Sequence, residues 1–200
     1  MISLAIRLLR DELDTYLQND EVILENVADL EGDRAGDLRG KVIISLVNIE
    51  EESSLKNQPV YQRNPQTNGL ERLQPPIHLN LYLLFSSAPS ISEGEGYEVA
   101  LNRLSNVIEF FQNKTQFTAA NSPHSTLALT TQISEAVKDS IKINVELYTL
   151  TFEQQNHLWG SLGGKQVPAA LFKARLVAIQ SRLVREAPLI QDINGEVENL

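Results

Sequence analysis

Two hundred residues, 42% of them apolar and 22% charged, suffice for one domain with a substantial core, or at most two small ones. A net charge of −9 and a pI near 4.9 argue against sequence-independent nucleic-acid binding, which needs Lys and Arg to displace phosphate counterions. The same balance argues against docking on anionic lipid, and the lack of any cysteine excludes disulfides, thiolate metal sites and cysteine nucleophiles.

The first seventeen residues do not read as a signal peptide, because Arg7, Arg10, Asp11, Glu12 and Asp14 interrupt the apolar run. Ile2, Ile6, Leu9, Leu13 and Leu17 instead form one stripe of an amphipathic helix, with Glu12 and Asp14 expected on its flanks and Asn19-Asp20 ending it. Glu21–Glu25 is short and β-branched, as an edge strand would be. Residues 29–40 hold three glycines and six charges and read as a solvated turn. Lys41–Glu52 places apolar residues on both parities from Val42 to Ile49, the pattern of a strand covered on both faces, and runs out into Glu50, Glu51 and Glu52. Residues 53–75 form a long polar connection in which Asn68-Gly69 suggests a hairpin tip.

Pro76–Ser86 alternates cleanly. Ile77, Leu79, Leu81, Leu83 and Phe85 are large and apolar, while His78, Asn80, Tyr82, Leu84 and Ser86 are mostly polar or amphipathic, so a central strand with one face in a core is expected. Ser92 and Glu95 have capping-box spacing ahead of a helix whose stripe would be Tyr97, Leu101, Leu104, Ile108 and Phe111. A short strand and a Pro123 loop follow in 115–125, then an ambiguous stretch to Ser134. Ile141–Leu150 alternates again, with Ile141, Ile143, Val145 and Leu147 on one side and Lys142, Asn144, Glu146 and Tyr148 on the other. Thr151 and Gln154 open a short helix through Leu158, Trp159 and Leu162 that Gly163-Gly164 closes. Pro168 leads into a strand over Ala169–Ser181, and 183–200 reads as an acidic C-terminal arm. The expected fold is α+β: one domain over 1–182 with a mostly antiparallel sheet of four to six strands flanked by helices.

Catalytic or metal chemistry finds no constellation. His78, His124 and His157 are remote from one another in sequence, and each reads more simply as a sheet, loop or helix-surface residue than as a ligand. Gly160–Lys165 is not a phosphate loop: Gln166 follows the lysine, and the glycines end a helix where a phosphate loop opens one. No metal, cofactor or reaction is expected. A small-molecule site around His78 or His157 remains the alternative from another class.

The order of motifs resembles the cap, or tail-terminator, proteins of phage-tail-like contractile injection systems and their shared N-terminal domain. The resemblance is carried by Tyr16-Leu17, LVNIEEE at Leu46–Glu52, Pro75-Pro76 with LNLYLLF at Leu79–Phe85, and VIEFFQ at Val107–Gln112. Phe117-Thr118, Leu158-Trp159 with Gly163, and Pro168 with Lys173 and Arg175 complete it. One departure is local: Ala169, Ala170 and Phe172 stand where the family more often has hydroxyl side chains. The resemblance implies a structural protein, a homo-hexameric ring that ends the inner tube and engages the last sheath ring, with tube and sheath proteins as partners. It implies no nucleic acid and no membrane insertion. Such a protein is made in the cytoplasm and becomes part of a particle that is released or membrane-anchored. An adaptor binding sheath or baseplate in the same particle is the close alternative. For the ring interface the expected groups are Glu50, Glu51 and Glu52 against Arg63, Arg72, Lys173 or Arg175. Trp159 is either core packing or an interface anchor. Loop 53–75 is the candidate for tube contact, and the arm for sheath contact by strand addition.

Overall fold

The computed structural model describes residues 1–18, 21–32, 35–52, 61–63, 70–73, 76–90, 96–179 and 184–186. Its elements begin with helix α1 (Ile2–Tyr16), strand β1 (Val22–Leu24), a 3-10 turn (Val27–Glu31) and the short helix α2 (Ala35–Leu38). Strands β2 (Val42–Glu51), β3 (Tyr61–Arg63), β4 (Leu70–Leu73) and β5 (Ile77–Ser87) follow, then helix α3 (Tyr97–Asn113) and strand β6 (Gln116–Thr118). Helices α4 (Thr126–Leu129) and α5 (Glu135–Ser140), strand β7 (Lys142–Leu147), helix α6 (Phe152–Ser161) and strands β8 (Ala169–Ile179) and β9 (Val184–Glu186) complete the order.

Six strands form one sheet in the order β1-β2-β5-β8-β7-β6, antiparallel except for the β1–β2 pair. β5 is central, with β2 on one side and β8 on the other, as its alternation predicts. The one-faced core expected for it is corrected: Asn80 through Ser87 are all buried, because helices cover both faces of the sheet. On the first face Leu81, Leu83 and Phe85 pack with Leu8, Leu9 and Leu13 of α1 and Val107, Phe110 and Phe111 of α3. Five of the six phenylalanines meet there, with ring centroids 4.7 Å apart for Phe111–Phe172, 5.0 Å for Phe85–Phe111 and 5.8 Å for Phe111–Phe117. On the second face Tyr82 and Leu84 pack with Ile43, Leu171, Trp159 of α6, and Val27, Leu30 and Leu38.

That second core explains why 29–40 is not merely a solvated turn. Asp37 faces water while Leu30 and Leu38 are driven under the sheet. α3 also differs from expectation. Its buried residues are Ala100, Val107, Phe110 and Phe111, whereas Tyr97, Leu101 and Ile108 are exposed. The helix follows an N-cap at Gly96 that makes no side-chain capping bond, and the Ser92/Glu95 box lies outside the described residues, as does Asn19-Asp20. Glu12 is buried in α1 and not on a flank: its carboxylate accepts from Lys114 Nζ at 2.7 Å and from the His124 N–H at 3.2 Å. The α6 capping box is present, with the Gln154 N–H on Thr151 Oγ1 at 3.2 Å and the Thr151 N–H on Gln154 Oε1 at 3.0 Å. Gly163 and Gly164 take φ of 100° and 83°, and the Gly164 N–H reaches the Trp159 carbonyl at 2.7 Å.

Within the long connection, β3 and β4 pair antiparallel with Arg63 opposite Leu70, a register centred between residues 66 and 67; the expected Asn68-Gly69 tip lies outside the described residues. β9, in the expected arm, pairs antiparallel with β4 of its own chain and makes a second, three-stranded sheet.

Candidate interaction surface

On the second face, beyond the part covered by Trp159 and Leu38, four strands present a continuous polar patch. Register sets it. Asn48 of β2 stands opposite Tyr82, Tyr82 opposite Lys173, and Lys173 opposite Glu146 of β7. One row further out, Glu50 stands opposite Asn80 and Arg175 opposite Asn144. Alternation puts Glu51 on the other face, opposite Leu79.

The side chains are tied together. Tyr82 donates its hydroxyl to Glu50 Oε2 at 2.6 Å, and Asn80 Nδ2 donates to Glu52 Oε2 at 3.1 Å. Arg175 bridges two carboxylates, with Nη2 3.8 Å from Glu52 and Nη1 3.5 Å from Glu146. Lys173 Nζ lies 5.4 Å from the Tyr82 ring centroid, and Tyr148 meets that ring edge-on at 5.1 Å. Burial first, then the hydrogen bond to Glu50 and the Glu50 charge, push the Tyr82 phenol well above the usual tyrosine range. The phenol is therefore a fixed donor. Beside this patch a cleft of about 300 Å³ opens between the end of β2 and α6, lined by Glu50, Tyr82, Tyr148, Leu150, Leu158 and Leu171 among others.

Of the expected interface residues, Glu50, Glu52, Lys173 and Arg175 are thus brought onto one face. Glu52 and Arg175 meet within one chain, where contact between neighbours is the expectation. Trp159 is buried in the second core at 6% exposure. Arg63 and Arg72 lie on β3 and β4, the latter opposite Arg185 of β9, with their side chains outside the described residues. Tyr82, Asn80, Glu146 and Tyr148 belong to the patch and are not among the residues expected there. Their signal in the sequence is shared parity along two alternating strands; which strands stand side by side is not written in either.

His78 is partly buried, and among the described residues neither ring nitrogen has a hydrogen-bond partner. His157 is an exposed helix residue 3.9 Å from Glu153. Among the described residues no three His, Asp or Glu side chains converge as metal ligands, and no helix is long and apolar enough to cross a membrane. What the patch can do chemically is pair charges and exchange hydrogen bonds with another surface.

A curled six-stranded α+β sheet with helices on both faces is a fold shared with the end-caps of contractile particles. The PVC sheath/tube terminator of an extracellular contractile injection system, in its extended state, superposes with a TM-score of 0.58 at 12% identity, covering 100% of this chain and 64% of that one. The anti-feeding prophage tube-terminating cap superposes with a TM-score of 0.60 at 14% identity, covering 96% and 60%. The chain therefore spans somewhat under two thirds of the length of these structures. No curated protein matches it by sequence. The chain belongs to the Pvc16 N-terminal domain family, whose model matches residues 5–192. This bears out the tail-terminator resemblance drawn from its motifs.

Proposed function

We propose that this protein is the structural cap of a contractile injection system: a hexameric ring that terminates the inner tube and engages the last sheath ring. Family membership over residues 5–192 carries the reading. The fold shared with a sheath/tube terminator and a tube-terminating cap supports it. The polar patch and the exposed apolar side chains Tyr97, Leu101, Leu129, Leu147 and Phe152 are surfaces that such an assembly would use. Residues 1–182 act as the ring-forming domain, with loop 53–75 toward the tube and the arm 183–200 toward the sheath. The protein acts without catalysis, inside a phage-tail-like particle.

The purified protein, alone and with its tube protein, is expected to give a six-fold ring by light scattering and negative-stain imaging, and the ring is expected to sit on tube ends. A chain that stays monomeric even with tube present would end the cap reading. Glu50→Lys with Glu52→Lys is expected to break the ring if this strand end meets Arg63, Arg72, Lys173 or Arg175 of a neighbour. An intact hexamer in the double variant would remove that contact.

A further inference from the structure

Three glutamates stand at the end of β2, and their settings differ. Glu51 is on the other face of the sheet, opposite Leu79. Glu52 is half-buried, accepts from Asn80 Nδ2 at 3.1 Å and lies 3.8 Å from Arg175. Glu50 is exposed on the patch face, and among the described residues no cation lies within ion-pair distance of it. What holds it is the Tyr82 hydroxyl, 2.6 Å from Oε2. Tyr82 belongs to the second core and meets Tyr148 edge-on, so its ring is fixed and its hydroxyl fixes the carboxylate in turn. An exposed glutamate ordinarily loses its rotamer freedom only when it makes a contact. Glu50 has lost it beforehand, and most of its roughly four acceptor sites are still open.

The cations divide in the same way. Arg175 lies between Glu52 and Glu146, and Lys173 lies over the Tyr82 ring and opposite Glu146, so both are engaged within their own chain. A ring interface is heterologous and joins one surface to a different one. Arg63 and Arg72 belong to such a different surface, the sheet of β3, β4 and β9. We propose that, of the β2 glutamates, Glu50 carries the contact with the next copy in the ring. Its partner there is Arg63 or Arg72, and Tyr82 is the positioning residue that aims it. The inference rests on the cap reading, and it narrows the contact offered there to one carboxylate, two arginines and the phenol that orients the pair.

The test follows ring assembly of the full chain against concentration by light scattering, with a urea midpoint for each variant to show that it is folded. Glu50→Gln keeps an acceptor for Tyr82 and removes the charge, and it is expected to raise the concentration for half-assembly about tenfold. Glu51→Gln is expected to leave it unchanged. Tyr82→Phe is expected to raise it about threefold in the wild-type background and not at all on top of Glu50→Gln, because a positioning residue has no effect once its charge is gone. Glu50→Arg is expected to break the ring, and Arg63→Glu or Arg72→Glu in the same chain to restore it. A wild-type ring that is indifferent to Glu50→Gln would overturn the contact. So would a charge reversal that neither arginine variant rescues. A Tyr82→Phe effect that persists beside Glu50→Gln would make the phenol merely structural and overturn its role. A wild type that never forms a ring ends the cap reading and this contact together, whereas the other failures leave the cap reading standing.

Discussion

At the scale of single residues, Tyr82 links stability to pH. Its folded-state pKa is raised, so between the unfolded value near 10 and the folded one only the unfolded chain loses this proton. The contribution is complete below about pH 10 and falls by about 1.4 kcal/mol per unit above it. Urea midpoints at pH 9 and pH 11 are expected to fall farther in the wild type than in Tyr82→Phe; equal losses would mean other groups set the alkaline limb. Glu12 makes a different case. Its charge is buried and held by Lys114, whose position is 102 residues away in the chain, and the same ammonium donates to the Asn121 carbonyl at 2.7 Å. Lys114→Met is expected to cost about 3 kcal/mol by stranding that carboxylate, and Glu12→Gln in the same chain to restore much of it. A double variant no more stable than Lys114→Met in urea would rule out this pairing. No local pattern could place Glu12 inside, because the partner that permits its burial is distant in sequence.

At the scale of elements, what is local was legible. The Thr151/Gln154 box and the Gly163-Gly164 stop are both complete within one helix and its ends, and both are found. Thr151→Ala is expected to remove about 1 kcal/mol. That lowers the melting temperature by roughly 2–4 °C for a chain of this size, read by fluorescence of the single tryptophan on the same helix. An unchanged melting temperature would show that packing of Trp159 holds α6 without the cap. Helix α3 shows where periodicity stops. Its sequence carries two overlapping apolar stripes; of the expected one, Tyr97, Leu101 and Ile108 face outward and only Phe111 is buried. Ala100 and Val107 face the sheet because a small residue lets the helix approach while Phe110 and Phe111 fill the space against Phe85 and Phe172. Periodicity reports that a helix is amphipathic; the partner surface selects the face.

At the scale of the whole molecule, the α+β class and the central place of β5 followed from alternation, while strand order did not. That β1 runs parallel to β2, and that β8 and not β7 lies beside β5, is a matter of pairing between separate segments, which no pattern within one strand states. The charge patch inherits this limit, since it exists only where β2, β5, β8 and β7 line up. The β5–β8 pairing, from Ile77↔Ile179 to Ser86↔Ala169, also has a consequence in time. Roughly 90 residues separate the two strands, and a ribosome needs about 5–20 s to make them. Throughout that interval β5, with Leu79, Leu81, Leu83 and Phe85 along one face, has emerged without the strand that closes its second edge, in the state that invites mispairing with other nascent chains. The strand that organises the finished protein is thus an open edge in the unfinished one until β8 is made.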